Sequence, residues 1–127
     1  MIQALHTAIA GLRVSAQRLG VAAENIANVN TSGSLSPYDG YVPQRFEQTT
    51  TANGTPTGTS QPISQASYPV YSPLDSRADA AGLVGYPNVD LAANIVDLTI
   101  AQRSYEANLV TSRAASDMMK VLLDRTA

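Results

Sequence analysis

A chain of 127 residues with 44% hydrophobic content can form one modest domain, or a smaller folded part with long arms, and is too short for a two-lobed enzyme. Its formal net charge of −2, with only 14% charged residues, excludes a nucleic-acid polycation. The absence of cysteine excludes disulfides, thiolate zinc sites, Fe–S clusters and Cys nucleophiles.

All seven prolines fall between Pro37 and Pro87, and six of the eight glycines lie between Gly33 and Gly85. These two residue types interrupt regular helices, so their confinement predicts an N-terminal helical arm over 1–30, a turn-rich middle over 31–88 and a C-terminal helical arm over 89–127. The first twenty residues, "MIQALHTAIAGLRVSAQRLG", lack the basic segment and unbroken apolar run of a signal peptide, and no stretch reaches a membrane-spanning length. Passage out of the cytoplasm is therefore expected to use another route.

In the first arm Ile2, Leu5, Ile9, Leu12, Ala16, Leu19, Ala23 and Ile26 recur in alternating steps of three and four. That is a heptad seam, and it predicts a helix from residue 3 to 29, roughly 40 Å long. Gly11 and Gly20 each weaken it by about 1 kcal/mol relative to Ala, so it is expected to need a partner. The arm closes on "NIANVNTSG". Asn is poor inside a helix but bonds readily to free backbone groups where a helix stops, so Asn28, Asn30 and Gly33 predict the helix end.

In the middle, residues 41–51 and 63–72 interleave β-branched and aromatic residues with turn formers. They predict two short strands joined through the Asn53-Gly54 turn and a loose Gly/Thr/Pro/Ser stretch. Pro43 and Pro69 restrict them to edges. Pro87 then fixes the approach to the second helix, which Asn88 or Asp90 can cap.

The second arm carries a seam through Leu91, Ile95, Leu98, Gln102, Tyr105, Leu109, Ser112, Ser116, Met119 and Leu123. A further row, including Val96, Ile100, Val110 and Val121, gives it another face able to pack. A charged stripe offers Arg113 with Asp117 and Lys120 with Asp124 as i,i+4 pairs, each worth roughly 0.2–0.5 kcal/mol. The expected fold is mainly α: two long terminal helices in an antiparallel coiled coil, with a short irregular β-hairpin or loop section between them. The first arm has only Arg13, Arg18 and Glu24 as charges, so its remaining faces are small and weakly polar. Such a helix suits surroundings of other helices, and predicts assembly with copies of itself or with homologous chains.

"NIANVNTSG" resembles the N-terminal signature of bacterial flagellar basal-body rod and hook proteins, with Asn25, Asn28, Asn30, Thr31 and Gly33 as matching residues. "GYPNVDLAANIVDLTIAQRSYEANLVTSRAASDMMKVLLD" resembles their C-terminal signature, through Pro87, Asn88 and Val89 and through Tyr105, Glu106 and Asn108. It is most similar to the short proximal-rod members of the C type, although Leu83 stands where an aromatic residue is usual. The resemblance implies terminal helices that pair, stack in a tubular drive shaft and transmit torque from motor to hook. It also implies other rod proteins as partners, delivery by the flagellar type III export apparatus without signal cleavage, and a place in the rod within the periplasmic space.

Enzymatic readings find little support. His6, the only histidine, has no recognisable nucleophile or carboxylate arrangement around it. Asp75, Asp79 and Asp90 lack metal-ligand spacing, and "NGTPTG" lacks the lysine of a phosphate-binding loop. No cofactor, nucleic acid or small-molecule substrate is expected. Two other readings are an amphipathic membrane anchor, disfavoured by the shortage of Lys and Arg in the first arm, and a subunit or adaptor of a related secretion apparatus.

Overall fold

The computed structural model describes residues 2–125. Helix α1 spans Ile2–Asn28 and helix α2 spans Leu91–Asp124. They lie side by side in opposite directions, with Asn25 against Asn94 near one end and Gly11 against Asn108 further along. At the standard rise α2 is about 10 Å longer than α1. The Asp90 side chain caps α2 by accepting from the Ala93 N–H at 3.0 Å.

Between the helices the chain forms four strands, so the mainly α fold with a single irregular hairpin is corrected to a helix–sheet–helix arrangement with two small antiparallel sheets. Strands β1 (Gln44–Thr50) and β2 (Pro56–Pro62) pair in the register Phe46↔Ser60 and Gln48↔Gly58. Strands β3 (Ser67–Tyr71) and β4 (Leu83–Pro87) pair with Tyr68 opposite Tyr86. The segment expected to pair across the Asn53-Gly54 turn, 63–72, instead supplies β3 to a different sheet. The turn folds β1 directly onto residues 56–62, which composition alone marks as loose. Gly54 has φ +75°, and the Thr51 N–H donates to Thr55 O at 2.9 Å, so this compact turn sets the register locally. Composition is a weak guide here because an exposed two-stranded ribbon is satisfied by backbone pairing and needs little apolar surface.

The sequence before α2 forms β4 rather than a linker. Its Val84 is fully buried, and Pro43 and Pro87 are the other large side chains wholly removed from solvent. Val84 and Pro87 belong to β4, and Pro43 directly precedes β1. The chain leaving α1 joins β4 as Gly33 N–H donates to Gly85 O at 2.8 Å and Gly85 N–H donates back to Gly33 O at 2.9 Å. A Cβ on Gly33 would stand 2.5 Å from the Gly40 backbone. Backbone cannot rotate aside as a side chain can, so Gly33→Ala is expected to destabilise the chain by about 1–3 kcal/mol, read from the urea midpoint.

Candidate assembly interface

The faces that α1 and α2 turn toward each other carry small side chains. On α1 the buried residues Ala8, Gly11, Ser15, Ala22 and Asn25 recur in steps of three, four, seven and three, with Val14 buried beside them. On α2 Ala101 and Ala115 are buried, with Asn94, Ser104 and Asn108 half-buried along the same row. A Cβ on Gly11 would lie 2.6 Å from Oδ1 of Asn108, whose Nδ2 donates to Ser104 O at 2.8 Å. Small residues let two helices approach closely and gain dispersion contacts along their backbones. They remove less apolar area from water than a Leu/Ile seam would.

The predicted heptad row of α1 lies one residue further along, roughly 100° around the helix. It therefore turns largely outward: Ile2 is 66% exposed, Ile9 and Leu19 are exposed to a lesser degree, and Leu5, Leu12 and Ile26 are half-buried. On α2 Leu91, Ile95, Tyr105 and Leu123 are exposed, while Leu98, Leu109 and Met119 are half-buried. The further row is exposed at Val96, Ile100, Val110 and Val121. The charged stripe pairs at i,i+3, Arg103 with Glu106 at 3.0 Å and Lys120 with Asp117 at 3.9 Å, in place of the expected i,i+4 pairs. Contiguous apolar rows of this extent on an isolated helix pair mark surfaces that meet other proteins.

The motif "NIANVNTSG" organises the junction. Asn25, only 2% exposed, uses its whole hydrogen-bonding capacity. Its Nδ2 donates to Gln44 O at 2.7 Å and to Asn94 Oδ1 at 2.8 Å. Its Oδ1 accepts from the Tyr41 hydroxyl at 2.8 Å and from Gln44 N–H at 3.1 Å. One side chain thus ties α1 to α2 and to the start of β1. At the end of α1 the main-chain carbonyl of Asn28 accepts from Thr31 N–H at 2.9 Å, while its Nδ2 donates to Glu24 O at 2.9 Å and its Oδ1 accepts from the Thr31 hydroxyl at 3.4 Å. Among the described residues only glycines adopt positive φ, so Asn28 and Asn30 do not end the helix through a left-handed conformation. Asn30 and Thr31 are exposed.

Next to this clamp the Ser32 hydroxyl donates to Asp75 Oδ2 at 2.8 Å, and Arg77 Nη1 donates to Ser32 O. Hydrogen bonds from the Arg77 backbone and the Ser32 hydroxyl hold the Asp75 carboxyl below its ordinary pKa. At the other end of the middle Pro87 is buried, Asn88 N–H donates to Ala66 O at 2.9 Å, and Val89 is half-buried. In the C-terminal motif Asn108 faces α1, whereas Tyr105 and Glu106 look outward.

Tyr38 donates to Tyr41 O at 2.8 Å, and both phenols have pKa values raised, first by burial and then by the neighbouring charges of Asp39 and Glu24 respectively. A raised folded pKa keeps the phenol neutral. Its stabilisation is complete below the unfolded value near 10 and is lost as pH rises through the folded pKa. Thermal melts are expected to fall more steeply above pH 10 for the parent chain than for a Tyr38→Phe variant.

The residues that sequence reading missed are the small ones of the seam, together with Tyr41 and Asn94. Their signal was present as a second heptad row, but small residues carry no hydropathy with which to claim the interface. Among the described residues no three His, Asp or Glu side chains converge to hold a metal, and no helix is long and apolar enough to cross a membrane.

Comparison with known proteins gives a consistent result. A family model described as "Flagellar basal body rod FlgEFG protein C-terminal" matches residues 80–125. The chain is 39% identical over 124 residues to "Flagellar basal-body rod protein FlgC" of Salmonella typhimurium, covering 90% of this chain and 91% of that protein. It is 37% identical over 119 residues to the protein of the same name from Escherichia coli O157:H7, covering 87% of each. The Bacillus subtilis protein of that name is 44% identical over 55 residues, 43% of this chain and 37% of its own length.

Proposed function

We infer the working role of this chain from its family: it belongs to the flagellar basal-body rod proteins of the FlgC type, and it is a structural subunit of the rod in the flagellar basal body. In that setting it associates with other rod proteins and forms part of the shaft that carries torque from motor to hook. Our reading of the mechanism is that assembly uses the outward apolar rows, Ile2 through Leu19 on α1 and Leu91 through Val110 on α2. The small-residue seam keeps each helix pair intact.

One observation carries this reading. Many large aliphatic side chains of both helices, among them Ile2, Ile9, Leu19, Ile95, Ile100 and Val110, stay exposed when the two helices pair, where a solitary domain would place polar residues. Covering a Leu- or Ile-sized side chain contributes about 1.5–3 kcal/mol, and a rod repeats that gain at each contact between subunits. Staggered contacts of this kind resist twist because load on one helix pair is shared by several neighbours. The chain acts as a mechanical element rather than a catalyst, without a cofactor, and the flagellar type III export apparatus is the machine that delivers it.

Intact-mass proteomics of purified basal bodies tests the reading. The expected result is this chain at stoichiometric levels and at full mass. Its absence from basal bodies of cells that express it would overturn the assignment.

A further inference from the structure

The chain has seven Asn residues, and the structure sets one of them apart. Asn25, Asn28, Asn88, Asn94 and Asn108 each donate a hydrogen bond from Nδ2. Asn30 is exposed, but it precedes the β-branched Thr31, whose N–H is held by Asn28 O at 2.9 Å. Each of these six is followed by Ile, Val, Thr or Leu. Asn53 alone precedes glycine, and its exposed carboxamide finds no hydrogen-bond partner among the described residues. The pair sits at the tip of the β1–β2 hairpin, where a Cβ on Gly54 would meet nothing within 4 Å.

An Asn carboxamide can close a succinimide ring with the backbone nitrogen of the next residue, provided that no side chain crowds that nitrogen. Gly54 meets this condition, but its nitrogen is engaged in the folded turn, where the N–H donates to Thr51 O at 2.9 Å. Thr51 fastens the turn further. Its N–H donates to Thr55 O at 2.9 Å, its hydroxyl donates to the same oxygen at 3.1 Å, and Thr55 N–H donates to Thr51 Oγ1 at 3.2 Å. All of these bonds lie at an exposed tip, and such bonds open far more readily than those of a core. The other Asn–Gly or Asp–Gly pair, Asp39-Gly40, is held more closely: Asp39 Oδ1 accepts from Ser34 N–H at 2.6 Å, and the Gly40 backbone lies against Gly33.

We propose that Asn53-Gly54 is a site of spontaneous covalent modification, at which opening of the turn lets Asn53 convert through a succinimide to isoaspartate or aspartate. The Gly54 nitrogen attacks Asn53 Cγ. A Cγ–N bond forms, the Cγ–Nδ2 bond breaks, and ammonia leaves with the hydrogen of the Gly54 N–H. Water then adds to one of the two ring carbonyls. Opening at Cγ yields aspartate; opening at the main-chain carbon yields isoaspartate, in which the chain runs through Cβ and Cγ. Water in and ammonia out balance the reaction, with no oxidant or reductant. Either product adds a negative charge to a chain of formal net charge −2. Isoaspartate also lengthens the main chain by a carbon between Thr51 and Thr55, just before the pairs Thr50↔Pro56 and Thr49↔Thr57. The tip lines an open depression with Gln3 and Thr7 of α1 and Asn108 and Thr111 of α2, so the change falls on the surface shared by the hairpin and both helices.

The inference is independent of the rod assignment, and the purified full chain tests it. The native chain, a Thr51→Val variant and the chain unfolded in guanidinium chloride are aged at mildly alkaline pH and digested with trypsin. Asn53 is the only Asn in the tryptic peptide 46–77. The expected product is this peptide heavier by about 1 Da and methylated by an isoaspartyl methyltransferase, with the unfolded chain converting fastest. Thr51→Val keeps the shape of the side chain but removes both of its hydroxyl bonds. It is expected to convert about fivefold faster than the native chain, the factor that corresponds to one modest hydrogen bond. Asn53→Gln should show no gain, because Gln would have to close a larger ring. Conversion in the unfolded chain with none in the native chain overturns the site. Equal rates in the native chain and either the Thr51 variant or the unfolded chain overturn the turn as its gate. Faster conversion at another Asn of the native chain overturns the choice of Asn53.

Discussion

Replacing Leu19 by Asp is expected to leave the free chain folded and to abolish its incorporation into rods. Leu19 is 38% exposed on the outward row of α1, not in the seam with α2. In the isolated chain the change costs about 1 kcal/mol, from helix propensity and partial loss of apolar contact. In a packed rod the same position loses the full transfer energy of a leucine and forces an unpaired carboxylate out of water, a penalty of several kcal/mol in every copy. Circular dichroism and a urea midpoint near that of the parent, together with loss of motility and of rods in purified basal bodies, are the paired readouts. Thr57→Asp is the control, since Thr57 is exposed on β2 and loses only its contact with Thr49. Normal motility in the Leu19 variant would remove this row from the assembly surface. Unfolding of the free chain would show that the row holds the helix pair together instead.

The sequence contains two superposed heptad rows, and hydropathy makes only one of them visible. The Ile/Leu row predicts that α1 packs, and roughly where it ends, but it leaves open whether the packing is within the chain or between chains. The alternative row of Ala8, Gly11, Ser15, Ala22 and Asn25 takes the intramolecular seam because small residues permit the closest backbone approach. In a chain with few charges on α1, both faces can be covered at once, and the apolar row is then free for neighbours. This explains why the helices were legible and their interface was not.

The sheets were obscured for a different reason. Residues 56–62 have almost no apolar signal, and β2 exists because the turn at Thr51–Thr55 folds it onto β1. For β4 the signal was present in Leu83, Val84 and Tyr86, but three turn-favouring segments precede it and its antiparallel pairs span from twelve residues, Tyr71 with Leu83, to twenty, Ser67 with Pro87. Pairing across such a separation depends on tertiary context that local propensity does not contain. The motif Asn residues show the opposite limit. Helix termination accounted for Asn28, but nothing local to Asn25 indicated that it would hold Gln44 and Asn94, far away in sequence.

That clamp supports the second large effect. Asn25→Asp preserves shape and both acceptor contacts, so Tyr41 and Gln44 N–H keep their partner. It removes both donors. A carboxylate oxygen then faces Gln44 O and Asn94 Oδ1, two acceptors held at 2.7 and 2.8 Å from the former amide nitrogen. Burying a charge against two lone pairs is expected to cost about 3–5 kcal/mol at neutral pH, which lowers Tm by roughly 10 °C or more. The carboxyl's pKa is driven upward, because protonation discharges it and restores one donor. Stability of the variant relative to the parent should therefore recover as pH falls through that raised pKa, opposite to the loss expected from Asp75 in the parent at lower pH. Asn25→Ala leaves the same partners unsatisfied but adds no charge, so it should be destabilised without any such recovery. Parallel pH profiles for the Asp and Ala variants would show that the clamp works through shape alone. A recovery confined to the Asp variant assigns it to the two donated hydrogen bonds that join α1, α2 and the root of the hairpin.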